Sequence, residues 1–580
     1  MTSLHVHDDE RFLLRCSPLL RDRAQQVPGA RFNKAAGGWL LPRSLPVARV
    51  CRAVFPDLEV DPPVYEAVRP QAEGDEHVRK IKAGEAEVDL TAYPGLFPYQ
   101  ATAAECMAVQ YGFVNQDDRG NGKTPTTLSA LEDNPFALPA IVICTTSMKG
   151  QWAEEAARWC PSAVPIIAGR TPRQRADAIL RAQGTPNALL IMSYAQIAKH
   201  SFLAPYGSIA RTPAEKQPGL LNETPWATVI VDEAHKIKDP KAKQTRAIKA
   251  LCTEATVNRW ALTATPIANH TADLWSILHF ARPSDFPSRS KFIDRYVLTY
   301  QNPWGGTEDM GLNPTTEAEF RAIYDPVSIR RPLQIEAKML PPEYRFVDME
   351  PAQAKVYKTF EQHAMMRDEA GNFLVATNPM VLNARLQQFA AATPVLDDDN
   401  NVTALSMPSC KVDALFDLLD EMAGAPLVVF SESKKLLTLA YEELTKGRSP
   451  RLKPEEIGLI TGDVPAEERT ETVKRFQSGH LPLIMCTIGA GSEGITLTRA
   501  STMCFLSRSY SMLSNTQAEG RLLRIGQDDD VRVINIITRD TAEHRVYDAT
   551  HGKEELLQAL VKDPGWQRKF LTDPDKKDDQ

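Results

Sequence analysis

Ala227-Thr228-Val229-Ile230-Val231-Asp232-Glu233-Ala234-His235 is the stretch on which the reading of this chain turns. Its first five residues predict a buried strand, and two adjacent carboxylates close that strand. In that place Asp232 would hold Mg2+ through water, while Glu233 would orient and deprotonate a water aimed at a γ-phosphate. Asp-Glu pairs also end ordinary strands, so the tetrapeptide gains meaning only with a phosphate site elsewhere in the chain.

Gly120-Asn121-Gly122-Lys123-Thr124 supplies one. Glycines at 120 and 122 let backbone N–H groups close around phosphates, Lys123 reaches the β- and γ-oxygens, and the Thr124 hydroxyl can ligate Mg2+. Asp117 stands where the full G-x-x-x-x-G-K-[ST] pattern has its first glycine. Pro125 follows the motif, at a first-turn position where a helix tolerates proline. The pair of motifs predicts an ATP site that works with Mg2+.

The rest of the chain suits a large multi-domain protein. Its 580 residues suggest three or four folded units. With a net charge of −7, contact with nucleic acid must come from a local groove rather than a globally basic surface. The nine cysteines include no Cys-x-x-Cys pair, so reduced thiols are expected rather than disulfides or a zinc ribbon. No apolar run approaches the ~18 residues of a membrane span, and the first residues lack a signal-peptide pattern. The expectation is a cytoplasmic protein, nuclear if eukaryotic, with no membrane partner and with a monomer as the plausible state.

Short apolar strands alternate with helical patterns in two blocks, the mark of a pair of parallel α/β sheets. The first block has strands at 140–144, 188–193, 227–231 and 259–263; the second has them at 427–430, 457–460, 483–486, 503–506 and 532–537. The expected divisions are a small α+β accessory domain at 1–85, a first lobe at 86–282, a helical insertion at 283–401, a second lobe at 402–562 and a polar tail at 563–580. A Pro/Gly/Trp loop is read at Asn302-Pro303-Trp304-Gly305-Gly306.

The order of further motifs resembles the superfamily 2 helicases, specifically their Swi/Snf-type DNA translocases, from about Leu96 to Leu560. Leu96-Phe97-Pro98-Tyr99-Gln100 is similar to the family's adenine-recognising segment, which implies that Gln100 reads the base. The stretch Thr145 to Trp152 and the pair Ser193-Tyr194 resemble segments that face the nucleic-acid strand. Leu262 to Asn269 resembles the coupling motif, with Thr263, Thr265 and His235 linking nucleotide to strand. The segments Ile460 to Asp463 with Arg469, Thr487 to Thr498, and Gln517 to Gln527 resemble motifs four to six. The resemblance implies two RecA-like lobes, ATP as cofactor, Gly494 and Gln517 facing the nucleotide, and duplex or branched DNA bound without sequence preference. Thr146, Lys149, Arg469 and Thr487 are the candidate backbone contacts. A recruiting protein partner is compatible with this reading, and a bacterial or bacteriophage setting fits better than nucleosome remodelling.

Arg521 and Arg524 sit three residues apart, so on one helix both guanidiniums would project from the same face. Across a cleft from Lys123 they would neutralise the γ-phosphoryl oxygens; the alternative is an exposed pair matched to Glu519 and Asp528. At the N-terminus, Val27 to Pro42 reads as strand, Gly turn and strand around Trp39, followed by a helix at 45–55. This segment resembles the small domain preceding the motor in annealing helicases and fork remodellers, although Trp39 would serve equally as a core anchor. His5 and His7 read as residues of a flexible tail. Three functions follow: a duplex-DNA translocase that remodels branched DNA or displaces bound proteins, an RNA-dependent or strand-separating helicase, or an ATP-switched clamp with little turnover.

Overall fold

A computed structural model describes residues 2–207, 209–264, 271–301, 307–365, 386–397, 402–448, 452–491, 495–509, 511–541 and 543. Two compact units divide the chain, Met1–Leu333 and Gln334–Gln580. The loop at 302–306, the tail at 563–580, Thr265 and Gly494 lie outside the described residues.

The first unit opens with a mixed sheet of β1 (Thr2–Val6), β2 (Arg11–Arg15), β3 (Arg31–Asn33), β4 (Gly38–Pro42) and β5 (Leu58–Val60), in the order β3-β4-β2-β1-β5. Alternate residues Leu4, Phe12, Leu14, Trp39 and Leu41 share one face and build a core with Val47 and Cys51 of helix Leu45–Val54. Trp39 is therefore a core anchor. His5 belongs to β1 and hydrogen-bonds Asp61 and Ser3. The expected flexible tail is a strand, because its apolar members alternate into that core.

Helix Pro62–Ala83 leaves this sheet and ends at Gly84, whose φ of 71° favours glycine. Its Val78 and Ile81 pack with Ala101, Ala104 and Met107, the first lobe's own core. Buried polar groups bind the two parts further. Gln71 donates to Asp285 (3.1 Å), Gln110 donates to Asp75 (3.1 Å), and the fully buried Arg282 donates to Asp285 (2.8 Å) and to Gln110 (2.9 Å). Lys82 donates to the carbonyls of Asp325 and Ser328.

The first lobe is an all-parallel sheet of β6 (Gly112–Asn115), β7 (Ala140–Cys144), β8 (Val164–Ile167), β9 (Ala188–Ser193), β10 (Thr228–Asp232) and β11 (Asn258–Leu262). A hairpin of β12 (Val297–Gln301) and β13 (Thr307–Leu312) precedes a last short strand, β14 (Ser328–Ile329), and the sheet order is β14-β6-β11-β10-β7-β9-β8. The strands read as continuous apolar runs because both faces are covered. Val229 and Val231 of β10 enter one core, and Ile230 enters the other. Gly112 must be glycine, since a Cβ there would meet the Ala281 carbonyl oxygen at 2.0 Å.

The second unit holds a parallel sheet of β15 (Glu343–Val347), β18 (Leu427–Ser431), β19 (Ile457–Ile460), β20 (Leu483–Thr487), β21 (Thr502–Ser507) and β22 (Arg532–Thr538), ordered β15-β22-β21-β18-β20-β19; β16 (Thr393–Leu396) and β17 (Val402–Ser406) form a separate hairpin. Beneath the sheet the buried Lys411 ammonium donates to the carbonyls of Leu506 (2.6 Å) and Ile536 (2.9 Å) and pairs with Glu543. The architecture is thus two RecA-like α/β lobes, each an all-parallel sheet.

The span 283–401, expected as a helical insertion, holds helices Arg289–Tyr296, Glu317–Tyr324 and Pro351–Met365, and it also gives β14 to the first sheet and β15 to the second. Among the described residues, no helix is long and apolar enough to cross a membrane, and all nine cysteines are free thiols.

Candidate nucleotide site

The P-loop joins β6 to helix Lys123–Asp133. Gly120 (φ 87°) and Gly122 (φ 78°) adopt the left-handed backbone that glycine permits. At Gly122 a Cβ would also meet the Gln100 amide nitrogen at 2.3 Å. Thr124 and Pro125 lie in the first helical turn, where Pro125 removes no helical hydrogen bond. The half-buried Lys123 ammonium folds back on its own loop, donating to the carbonyl of Asp117 at 2.8 Å and reaching that of Asp118 at 3.4 Å. Burial lowers its pKa, while the charges of Glu233, Asp117 and Asp232 oppose the shift. Those charges place the two motifs in one electrostatic neighbourhood.

Asp232 ends β10, and Glu233 occupies the left-handed region (φ 55°, ψ 52°), unusual for a side chain of its size. Burial and the neighbouring Glu233 carboxylate push Asp232 up to about 6. Burial would likewise raise Glu233, but His235, whose Nδ1 lies 3.2 Å from Glu233 Oε2, outweighs it together with Arg119 and Lys123, and Glu233 falls to about 2. His235 is thereby buried against the catalytic candidate.

Hard oxygen donors at Thr124, Asp232 and Glu233 fit Mg2+, and Glu233 Oε2 is buried without a hydrogen bond. Among the described residues no cluster of three or more His, Cys, Asp or Glu could hold a metal alone.

Gln100 is buried, with its side-chain oxygen accepting from Phe97 N–H (3.0 Å) and its nitrogen donating to the Asn121 carbonyl (2.9 Å). It braces the P-loop, with both ends of its amide committed to backbone. Lys149 is buried too, donating to the Ala168 carbonyl at 2.6 Å, so it presents no free ammonium to a phosphate. Thr146 is exposed in the turn Thr146–Met148 after β7. Thr263 is buried just past β11, its N–H bonded to the Asn115 carbonyl at 3.0 Å.

In the second unit Thr487 is buried at the end of β20, and Arg469 donates to the carbonyls of Val464 and Gly462 (2.8 Å each) at the start of helix Ala466–Gln477. Gln517 is buried in helix Met512–Glu519. Arg521 and Arg524 fall beyond that helix, in turns, so the shared helical face is corrected. They converge by another route: both guanidiniums donate to the Ile495 carbonyl (3.3 and 3.2 Å), and Arg524 also donates to Thr496 (2.9 Å).

One participant escaped the sequence reading. After β14 the chain crosses the P-loop, where the Arg331 guanidinium pairs bidentately with Asp117 (Nε to Oδ1, 3.0 Å) and lies 5.3 Å from the Tyr99 ring centroid. Asn121 donates to the carbonyls of Arg331 (3.1 Å) and Pro332 (2.9 Å). The signal was Asp117 itself, a carboxylate where the phosphate-loop pattern has glycine.

Residues 99–393 match the SNF2-related domain, and residues 410–526 match the helicase conserved C-terminal domain. The chain is similar to chromodomain-helicase-DNA-binding protein 1-like of Danio rerio, 27% identical over 488 residues that cover 81% of this chain and 44% of the relative. It is also similar to TATA-binding protein-associated factor mot1 of Aspergillus fumigatus, 24% identical over 83% of this chain and 28% of the relative. The chain therefore spans less than half the length of these curated relatives. A solved SWI2/SNF2 ATPase core of Sulfolobus solfataricus in complex with dsDNA aligns over 83% of this chain and 94% of its own, at 22% identity and a TM-score of 0.36. With the first family match covering half of the sequence and the second following it in order, this chain belongs to the SNF2-related family.

Proposed function

We propose that the protein is a DNA-dependent ATPase that moves along duplex DNA, remodelling branched structures or displacing bound proteins. The observation that carries the reading is the setting of Lys123: its ammonium rests on the carbonyls of Asp117 and Asp118 within the field of Asp232 and Glu233. An incoming triphosphate would replace those carbonyls, with N–H groups between Gly120 and Lys123 around the phosphates and Lys123 at the β- and γ-oxygens. Mg2+ bound with the nucleotide would neutralise phosphoryl charge, held by Thr124 and Asp232. Glu233 is ionised at neutral pH. It would orient the attacking water and accept its proton.

The names of the relatives, a helicase-DNA-binding protein and a factor associated with the TATA-binding protein, support a DNA substrate. We assign branched or single-stranded contact to edge strand β3 of the N-terminal sheet, where Arg31 and Phe32 are exposed and Lys34 follows.

Steady-state ATPase with no nucleic acid, single-stranded DNA, duplex, forked DNA and RNA tests this, with Lys123→Ala as background. Stimulation by duplex or fork is expected. Stimulation by RNA alone would favour an RNA-dependent helicase, and ATP binding without turnover on any substrate would favour a clamp.

A further inference from the structure

The strands β10, β7 and β9 are neighbours in the sheet, so the loops at their carboxyl ends are adjacent. Two side chains, one from beyond β7 and one from beyond β9, reach the Asp232-Glu233 turn. The turn Thr146–Met148, exposed at Thr146 and Ser147, runs directly into helix Lys149–Trp159. In the first turn of that helix Trp152 is fully buried, and its indole N–H donates to Asp232 Oδ2 at 3.0 Å. From the end of β9 the Tyr194 hydroxyl donates to the Asp232 carbonyl at 2.5 Å, with the Glu233 carbonyl 3.3 Å away as a second acceptor.

These contacts act on different parts of the pair. An indole N–H can only donate, so Trp152 occupies one carboxylate oxygen of Asp232 and leaves Oδ1 for other partners. Tyr194 holds the backbone of the residue whose successor sits at φ 55°, a conformation that persists only where neighbours over-determine it. One bond joins helix Lys149–Trp159 to the Asp232 carboxylate, and the Tyr194 hydroxyl joins the end of β9 to the backbone carbonyls of Asp232 and Glu233. A shift of a few tenths of an ångström in helix Lys149–Trp159 would lengthen the Trp152 bond directly, because fewer than two helical turns separate Thr146 from Trp152.

We propose that Trp152 and Tyr194 are positioning residues that carry occupancy of the loops after β7 and β9 by a DNA backbone to Asp232 and Glu233, raising turnover when those loops are held. This rests on the DNA-dependent ATPase reading. The two segments then serve twice, facing the strand and setting the geometry of the carboxylates.

The test compares wild type, Trp152→Phe and Tyr194→Phe by three measurements: ATPase with and without duplex DNA, DNA affinity by anisotropy, and binding of a fluorescent ATP analogue across a Mg2+ titration. Each variant is expected to lose about tenfold of the DNA stimulation while binding DNA as wild type does. Trp152→Phe should in addition need several-fold more Mg2+ for nucleotide binding. Undiminished stimulation in both variants, or equal falls in the DNA-free and DNA-bound rates accompanied by a lower melting temperature, would overturn the proposal and leave the ATPase reading standing. Wild type with no DNA stimulation would remove that reading, and the proposal with it. Tyr194→Phe removes one oxygen, so it decides the matter if Trp152→Phe does not fold.

Discussion

Glu233 is the residue on which turnover should depend most directly. Glu233→Gln keeps the side chain's size and loses its charge, so ATP binding should persist while the rate falls about 10² or more, checked by nucleotide affinity against single-turnover hydrolysis. A second residue sets an acid limit on stability. His279 is stacked on Trp275 (centroids 4.6 Å apart), with its Nδ1 2.9 Å from the Phe286 carbonyl, and burial beside Lys249 pushes its pKa from 6.5 down to about 3. Between those values the unfolded chain takes up a proton that the folded chain refuses. Stability should therefore fall as pH drops from about 6.5, by up to ~1.4 kcal/mol per pH unit while the difference lasts. Melting temperatures of wild type and His279→Phe between pH 7 and 5 check this, with the variant losing less.

At the scale of elements, the polar network around Arg282 ties helix Pro62–Ala83 to the first lobe. Arg282→Ala would strand Asp285 and Gln110 in the interior, a loss of about 3–5 kcal/mol read by denaturant unfolding. This scale also shows what the sequence could and could not tell. Strands such as Ile141–Ile143 and Val428–Phe430 were legible because burial on both faces demands unbroken apolar runs. The P-loop and the Asp-Glu pair were legible because the chemistry prescribes residue types at set places. Side-chain direction was not. Lys149 and Gln100 carry the right groups, but packing turns them onto the Ala168 and Asn121 carbonyls. Arg521 and Arg524 meet at one carbonyl through turns that no helical period describes. The short β14 was invisible for want of length, and Arg331 became visible only once its partner Asp117 was placed.

For the molecule as a whole, the N-terminal sheet and the first lobe fold as one body. Removing residues 1–85 would expose the surface now covered by Val78 and Ile81, and should lower the melting temperature by about 5 °C or more. Loss of fork binding in such a deletion would be uninformative. Arg31→Glu with Lys34→Glu, on exposed positions of the edge hairpin, should instead weaken forked-DNA binding several-fold at unchanged melting temperature. Equal affinity would take DNA contact away from that sheet.

The passage of Ser328 to Leu333 over the P-loop bears on how such a gene can be cut and recombined. A splice at residue 282, the end expected for the first lobe from the sequence, would separate β6 from its outer neighbour and Asp117 from the guanidinium that neutralises it. A splice after Leu333 severs neither. The inheritable module that carries a working phosphate loop therefore extends from its last motif, Leu262 to Asn269, on to Leu333, and exchanges between relatives should be tolerated on the far side of Leu333 and rejected before Ser328.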